Sequence, residues 1–167
     1  YIADELFDTW YDAIKNIVFN VKITCNKIGI SDLNAKKLLK YIDDNKKVLQ
    51  SVAGTAIFYD LWDPNIIVND GKYYVIDPER CFYGDPICDF IAIMFTKDLE
   101  EGRDIVKLYN LHSEEKVYID INTEIRYKVG LGYLALIMEV EKYFRYDENH
   151  ELYNRNDSIS KWIFSMI

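Results

Sequence analysis

Three polar side chains stand among apolar neighbours in the stretch FYDLWDPNIIVNDGKYYVIDPERCFYGDPICD, which runs from Phe58 to Asp89: Asp60, Asn65 and Asp77. A carboxylate and an amide oxygen are hard donors. Mg2+ takes one or two protein carboxylates of this kind, together with phosphate oxygens and water. A further carboxylate that binds no metal can accept the proton of an attacking hydroxyl and orient it towards phosphorus. The set therefore suits phosphoryl transfer, with Asp60 as the proton acceptor and Asn65 and Asp77 as the metal ligands.

Those roles require the three residues to meet, and the sequence between them supplies the means. Asn65–Val68 and Tyr73–Ile76 are apolar runs on either side of Asn69-Asp70-Gly71. An Asp-Gly pair between such runs favours a tight hairpin turn. The hairpin returns the chain, so Asn65 and Asp77 emerge at one end of it, with Asp60 on the loop leading in. Asn69 and Asp70 read as turn formers whose side chains bond their own backbone. Asp63 reads as a solvated loop carboxylate and Trp62 as a packing residue. Glu79 and Arg80 stand within reach of the site, where a structural ion pair is an equal alternative.

The same stretch resembles the core of the aminoglycoside phosphotransferase family, the small-molecule branch of the protein-kinase-like fold. That family carries a pattern close to His-x-Asp-x-x-x-x-Asn, a hairpin, Ile-Asp, and then Gly-Asp-Pro-x-x-Asp. Here the matching positions are Asp60, Asn65, Ile76-Asp77, Gly84-Asp85-Pro86 and Asp89. The resemblance implies Asp60 as the catalytic carboxylate, Asn65 and Asp77 as ligands of Mg2+, and ATP or another nucleoside triphosphate as phosphoryl donor. It also implies that Asp89 braces the catalytic loop through backbone amides. One position departs: Phe58 stands where the family has His. By resemblance that His is mainly structural, so an aromatic keeps the packing and loses a hydrogen bond.

Composition sets the outer limits. The chain has 167 residues, enough for one domain with a real core. Half of them are hydrophobic and 29% are charged, a globular profile. The net charge of −8 argues against nucleic acid, whose phosphates attract basic patches, and is compatible with a cationic acceptor. Cys25, Cys81 and Cys88 are odd in number and lack paired spacing, so reduced thiols are expected. No apolar run is long enough to span a bilayer and no signal-peptide pattern is present, so no membrane partner and a cytoplasmic location are expected.

The elements that must position the site are mostly helical. From Ile2, the residues Leu6, Trp10, Ile14, Ile17 and Val21 recur at helical steps, predicting a helix that ends near Gly29. Ser31 is the expected N-cap of a second helix that buries Leu33, Leu38, Leu39 and Ile42. Asp43-Asp44-Asn45 and Gly54 are breaks, and Ile57–Tyr59 is a short strand leading into Asp60. After the hairpin, Pro86 opens a buried helix over Ile87–Phe95, and Leu99–Leu111 is a helix with a polar face. Ser113–Asp120 connects to the strongest helix, Glu124–Tyr146, lined by Ile125, Val129, Leu136, Ile137, Val140 and Phe144. Gly130 and Gly132 inside it predict a close packing partner. Asp147–Asp157 reads as a loop, and Ser158–Ile167 as a final amphipathic turn or two.

The expected fold class is therefore α+β and mostly α-helical, with a small β-hairpin carrying the metal site. By resemblance it is the C-terminal lobe of a protein-kinase-like fold, one domain over residues 1–167. No Gly-x-Gly-x-x-Gly or strand Lys precedes Asp60, and the chain starts at Tyr1, so it reads as a lobe whose N-terminal nucleotide partner is absent. On that reading the isolated chain is inactive on its own and self-associates through the side bearing Asp60. Two function classes follow: an ATP-dependent kinase of a small-molecule hydroxyl (aminoglycoside, amino alcohol or sugar), or a non-catalytic relative used for binding or scaffolding.

Overall fold

Thr9 starts the first helix: its hydroxyl oxygen accepts from the Asp12 amide at 3.2 Å and satisfies one of the free donors of the opening turn. The computed structural model describes residues 6–94, 97 and 99–167. Helix α1 is Trp10–Lys27, so the expected start at Ile2 lies outside the described residues. Leu6 precedes the helix and is exposed, a correction to its place on the buried face. The remaining periodic residues, Trp10, Ile14, Ile17 and Val21, are buried as expected.

Helix α2 is Leu33–Asp44 and α3 is Lys46–Gln50. Ser31 sits one residue outside the cap position, yet its Oγ accepts from the Leu33 amide at 3.3 Å. Leu38 and Ile42 are fully buried, each stabilising by about 1.5–3 kcal/mol relative to exposure. Leu33 is exposed, contrary to expectation, because the first turn of α2 projects it away from the line of Leu38 and Ile42.

Four short strands follow: β1 Thr55–Ile57, β2 Ile66–Asn69, β3 Lys72–Val75 and β4 Phe82–Gly84. They make two antiparallel pairs, β1 with β4 and β2 with β3. In the hairpin, Ile66 faces Val75 and Asn69 faces Lys72. Asp70 and Gly71 take φ of +48° and +72°, the left-handed pair that a two-residue primed turn needs. The second sheet, with Thr55 opposite Gly84 and Ile57 opposite Phe82, has no sequence-local signal. Gly54 permits its approach: a Cβ there would lie 2.8 Å from the Tyr83 ring.

The other helices are α4 Asp89–Ile93, α5 Arg103–His112, α6 Ile121–Arg145 and α7 Glu151–Met166. The chain divides into two compact units, one formed by the residues up to Val52 with Lys128–Ile167, the other by Ala53–Tyr127. In the first unit, α1, α2 and α3 pack on one another. Gly132 of α6 meets α2 so closely that a Cβ would lie 2.8 Å from Leu38 and from Ile167 side-chain carbons, the close partner its presence predicts. Phe144 of α6 is 65% exposed and so does not line the packed side with Leu136, Ile137 and Val140.

Of the loop expected over Asp147–Asp157, residues 147–150 are non-helical, while Glu151–Asp157 are instead the start of α7. His150 caps it, Nδ1 accepting from the Leu152 amide at 3.1 Å. Lys142 of α6 then fixes Asp157 at 2.8 Å while sitting against the rings of Tyr143 and Tyr153. Charged and aromatic partners on α6, rather than an apolar stripe, hold this part of the helix. That is why the hydrophobic period did not reveal it. The three cysteines are free thiols, Cys25 and Cys88 buried and Cys81 exposed.

Candidate active site

All the candidate site residues lie in the second unit, between β1 and the start of α4. Strand β1 ends at Ile57, and two residues later Tyr59 takes φ of +64°, a left-handed conformation uncommon for a bulky side chain. Its surroundings hold it there. Asp89 Oδ1 accepts from the amides of Phe58 at 2.7 Å and Tyr59 at 2.8 Å. The Tyr59 ring is buried and lies 5.4 Å from that of Phe82. Such a conformation costs of order 1–3 kcal/mol and is found where the surroundings over-determine it. The bend delivers Asp60 to a partly open position, its side chain 31% exposed.

Asn65 closes the loop that Asp60 begins. Its Nδ2 donates to the Asp60 carbonyl at 2.9 Å, and its own amide donates to the Trp62 carbonyl at 2.9 Å, ending a short 3-10 turn over Asp63–Asn65. With its NH2 committed, buried Asn65 has Oδ1 left as the oxygen to offer a ligand. The hairpin does the rest. The Ile76 amide donates to the Asn65 carbonyl at 2.9 Å, extending the ladder one step past Ile66 and Val75 and bringing the backbone that carries Asp77 beside Asn65. Asp77 itself takes φ of +60° and ψ of +61°, a region that Asp tolerates better than most residues. Its side chain is exposed.

Beyond Asp77, a 3-10 turn over Pro78–Arg80 turns the chain back, closed by the Cys81 amide on the Pro78 carbonyl at 3.0 Å. Arg80 Nε comes to 3.8 Å from Asp60 Oδ2 and 4.0 Å from Glu79 Oε1. Of the two alternatives for Glu79 and Arg80, the guanidinium thus reaches Asp60 while keeping Glu79 near. Trp62, expected to pack, is 48% exposed, and Asp63 is exposed as expected.

Asp85 of the Gly-Asp-Pro segment is fully buried and takes no place in the open site. It caps the 3-10 turn over Pro86–Cys88, Oδ1 accepting from the Ile87 amide at 3.0 Å. It also accepts a forked pair from Arg126, Nε to Oδ2 at 2.8 Å and Nη2 to Oδ1 at 2.5 Å. The hydrogen bonds to Asp85 push the Arg126 guanidinium further up its basic range. Burial pushes the Cys88 thiol well up, with the Asp85 and Asp89 carboxylates adding to it, so Cys88 is no nucleophile. Sequence reasoning did not pair Arg126 with Asp85, because the two are far apart along the chain and neither falls on a periodic pattern.

The donor set fits a hard cation. Among the described residues no three His, Cys, Asp or Glu side chains form a metal cage. A Mg2+ ion that arrives with a nucleotide needs only one or two protein oxygens, since phosphate and water complete its shell. Asn65 Oδ1 and the Asp77 carboxylate are such oxygens. A surface hollow of about 620 Å3 lies in the first unit between Phe7, Asp12, Phe19 and Asp43, and neither Asn65 nor Asp77 lines it.

Residues 31–113 match the sequence model of the phosphotransferase enzyme family. That segment holds the whole run from Asp60 to Asp89, and over it the chain is similar to that family. No curated protein and no solved structure matches the chain.

Proposed function

We propose that this chain carries the catalytic residues of a phosphotransferase that moves the γ-phosphoryl group of ATP to a hydroxyl of a small molecule. Aminoglycosides, amino alcohols and sugars are the acceptor classes in view. The supporting observation is the Asp60–Asn65 loop, closed by the Asn65 side-chain Nδ2 on the Asp60 carbonyl and held from behind by Asp89. A loop of this kind fixes a carboxylate and an amide oxygen relative to each other without help from a ligand, and positioning is most of what phosphoryl transfer asks of a protein.

In this reading Asp60 accepts the proton of the acceptor hydroxyl as that oxygen bonds to the γ-phosphorus and the nucleoside diphosphate leaves. Asn65 Oδ1 and Asp77 hold the Mg2+, which when bound offsets the negative charge gathering on the phosphoryl oxygens. Asp89 touches no substrate and keeps the Phe58–Tyr59 bend in place. The second reading, a non-catalytic relative, draws on Phe58, since the hydrogen bond of the family His is lost there.

An ATPase and acceptor-phosphorylation screen on the full-length gene product tests the proposal, with Asp60→Asn as the control. The expected result is a phosphorylated small-molecule acceptor whose formation Asp60→Asn suppresses. Folded protein that binds an acceptor but turns over no nucleotide with any of them would favour the non-catalytic relative.

A further inference from the structure

We propose that Arg80 is a positioning residue for Asp60, a role that rests on the phosphotransferase reading above. Arg80 Nε stands 3.8 Å from Asp60 Oδ2, too long for a hydrogen bond and within ion-pair reach. It also stands 4.0 Å from Glu79 Oε1. The three side chains differ in exposure: 20% for Arg80, 31% for Asp60 and 64% for Glu79. Of these two carboxylates, the guanidinium stands nearer the less exposed one, Asp60, where solvent screens the attraction less.

The local backbone accounts for its reach. Asp77 in the left-handed region reverses the chain, Pro78 fixes the next φ, and the 3-10 turn over Pro78–Arg80 swings Arg80 back to the loop that Asn65 closes. The segment that presents Asp77 thereby also delivers a permanent cation to Asp60. A carboxylate offers two oxygens. Arg80 on the Oδ2 side restrains rotation of the group and leaves Oδ1 for the hydroxyl that is to lose its proton. Phosphoryl transfer depends steeply on such alignment, since a misplacement of about 1 Å can cost on the order of 100-fold in rate.

Steady-state kinetics of the full-length gene product, on an acceptor found in the screen, test this with Arg80→Ala, Arg80→Lys, Asp60→Asn and the Asp60→Asn/Arg80→Ala pair. Melting temperatures of the variants show whether each is folded. Arg80→Ala is expected to lower kcat by roughly 10- to 100-fold, with KM for nucleotide and acceptor within about twofold. Arg80→Lys should recover part of that loss, because it keeps the charge but not the planar guanidinium. In the Asp60→Asn background, Arg80→Ala should change kcat little further, since its partner is already gone. Unchanged kcat in a folded Arg80→Ala overturns the proposal. So does the same loss with and without Asp60, which would mean that Arg80 acts on phosphate or on the fold. If Arg80→Ala does not fold, Arg80→Lys decides: a lowered kcat whose loss disappears in the Asp60→Asn background supports the role, and wild-type kcat or the same fractional loss in both backgrounds refutes it. A wild type that phosphorylates no acceptor removes the phosphotransferase reading and the role of Arg80 with it, whereas an active enzyme indifferent to Arg80 removes the positioning role alone.

Discussion

Asp89 Oδ1 receives two consecutive amides, those of Phe58 and Tyr59, so the bend before Asp60 is held by backbone and not by the side chain at position 58. This bears on the one residue that departs from the family pattern. Phe58 is half-buried, and any residue there but proline supplies the same amide. Phe58→His is therefore expected to leave turnover within a few-fold, and to cost less than the about 3–5 kcal/mol of a fully buried Phe. Kinetics and a thermal melt of the full-length product check both. A gain of about tenfold or more would instead show that the missing hydrogen bond limits the enzyme. For the paired carboxylates the expected outcomes differ in kind. Asp60→Asn should keep nucleotide affinity and lower turnover by roughly 10²- to 10⁴-fold, while Asp77→Asn should weaken nucleotide binding only when Mg2+ is present. Calorimetric titration with and without the metal separates them. The hairpin between Asn65 and Asp77 was legible in the sequence because its Asp-Gly turn is a local feature, and the contact of Asp89 with the loop amides is what the family resemblance implied. Arg80's contact with Asp60 and Arg126's with Asp85 were not, because each depends on where the chain returns in space.

Among the elements, the helices with a clear apolar period were legible, although α1 begins only at Trp10 and α5 only at Arg103. Helix α6 was expected over Glu124–Tyr146 and spans Ile121–Arg145. The start of α7 was missed because its partners are polar. Lys142, with a side chain 5% exposed, faces Asp157 at 2.8 Å, and Asp157 also pairs with Lys161 at 2.7 Å one turn further on. Asp157→Ala would leave a buried ammonium without its carboxylate, a change that costs about 3–5 kcal/mol. The lower end is expected, since Asp157 is 36% exposed. Replacing both partners, Lys142→Met with Asp157→Leu, should cost less than the single change, because no charge is then stranded. Denaturant unfolding of the three proteins measures the difference. The pair also gives a pH signature. The Lys142 and Lys161 ammoniums hold the Asp157 carboxyl below the usual carboxylate range. Its folded value being depressed, the stabilisation is present above the unfolded value of about 4 and is lost as pH falls through the folded one. In the Asp157→Ala protein that acid-side loss should shrink.

For the molecule as a whole, no helix among the described residues is long and apolar enough to cross a membrane. The acidic balance, a net charge of −8, opposes close approach of like copies, but the hairpin opposes it in turn. Val68, Tyr73 and Val75, on one face of the hairpin, are 60%, 75% and 46% exposed, and a two-stranded hairpin with no covering layer is marginal in water. The 167-residue chain is therefore expected to self-associate through this face. Sedimentation at rising concentration and salt should show it strengthening as charge is screened, and Val68→Lys with Tyr73→Lys should return it to a monomer. A clean monomer at every concentration would sink that expectation.

The pairing of β1 with β4 has a consequence for how this site can vary. Ile57 opposite Phe82 shuts a loop at its neck, and residues 58–81, with Asp60, Asn65, Asp77 and Arg80, all belong to that loop. The entropy of closing a loop grows only with the logarithm of its length. Residues gained or lost near the hairpin tip at Asp70-Gly71 would therefore lengthen or shorten the excursion while the neck, and the Asp89 contact behind it, stayed as they are. A single residue inserted within β1 would do the opposite, shifting its register against β4 and turning the β1 residues beyond the insertion to the other face, at the neck that closes the loop. Tolerance to insertion in this chain is thus set by which side of the neck receives it.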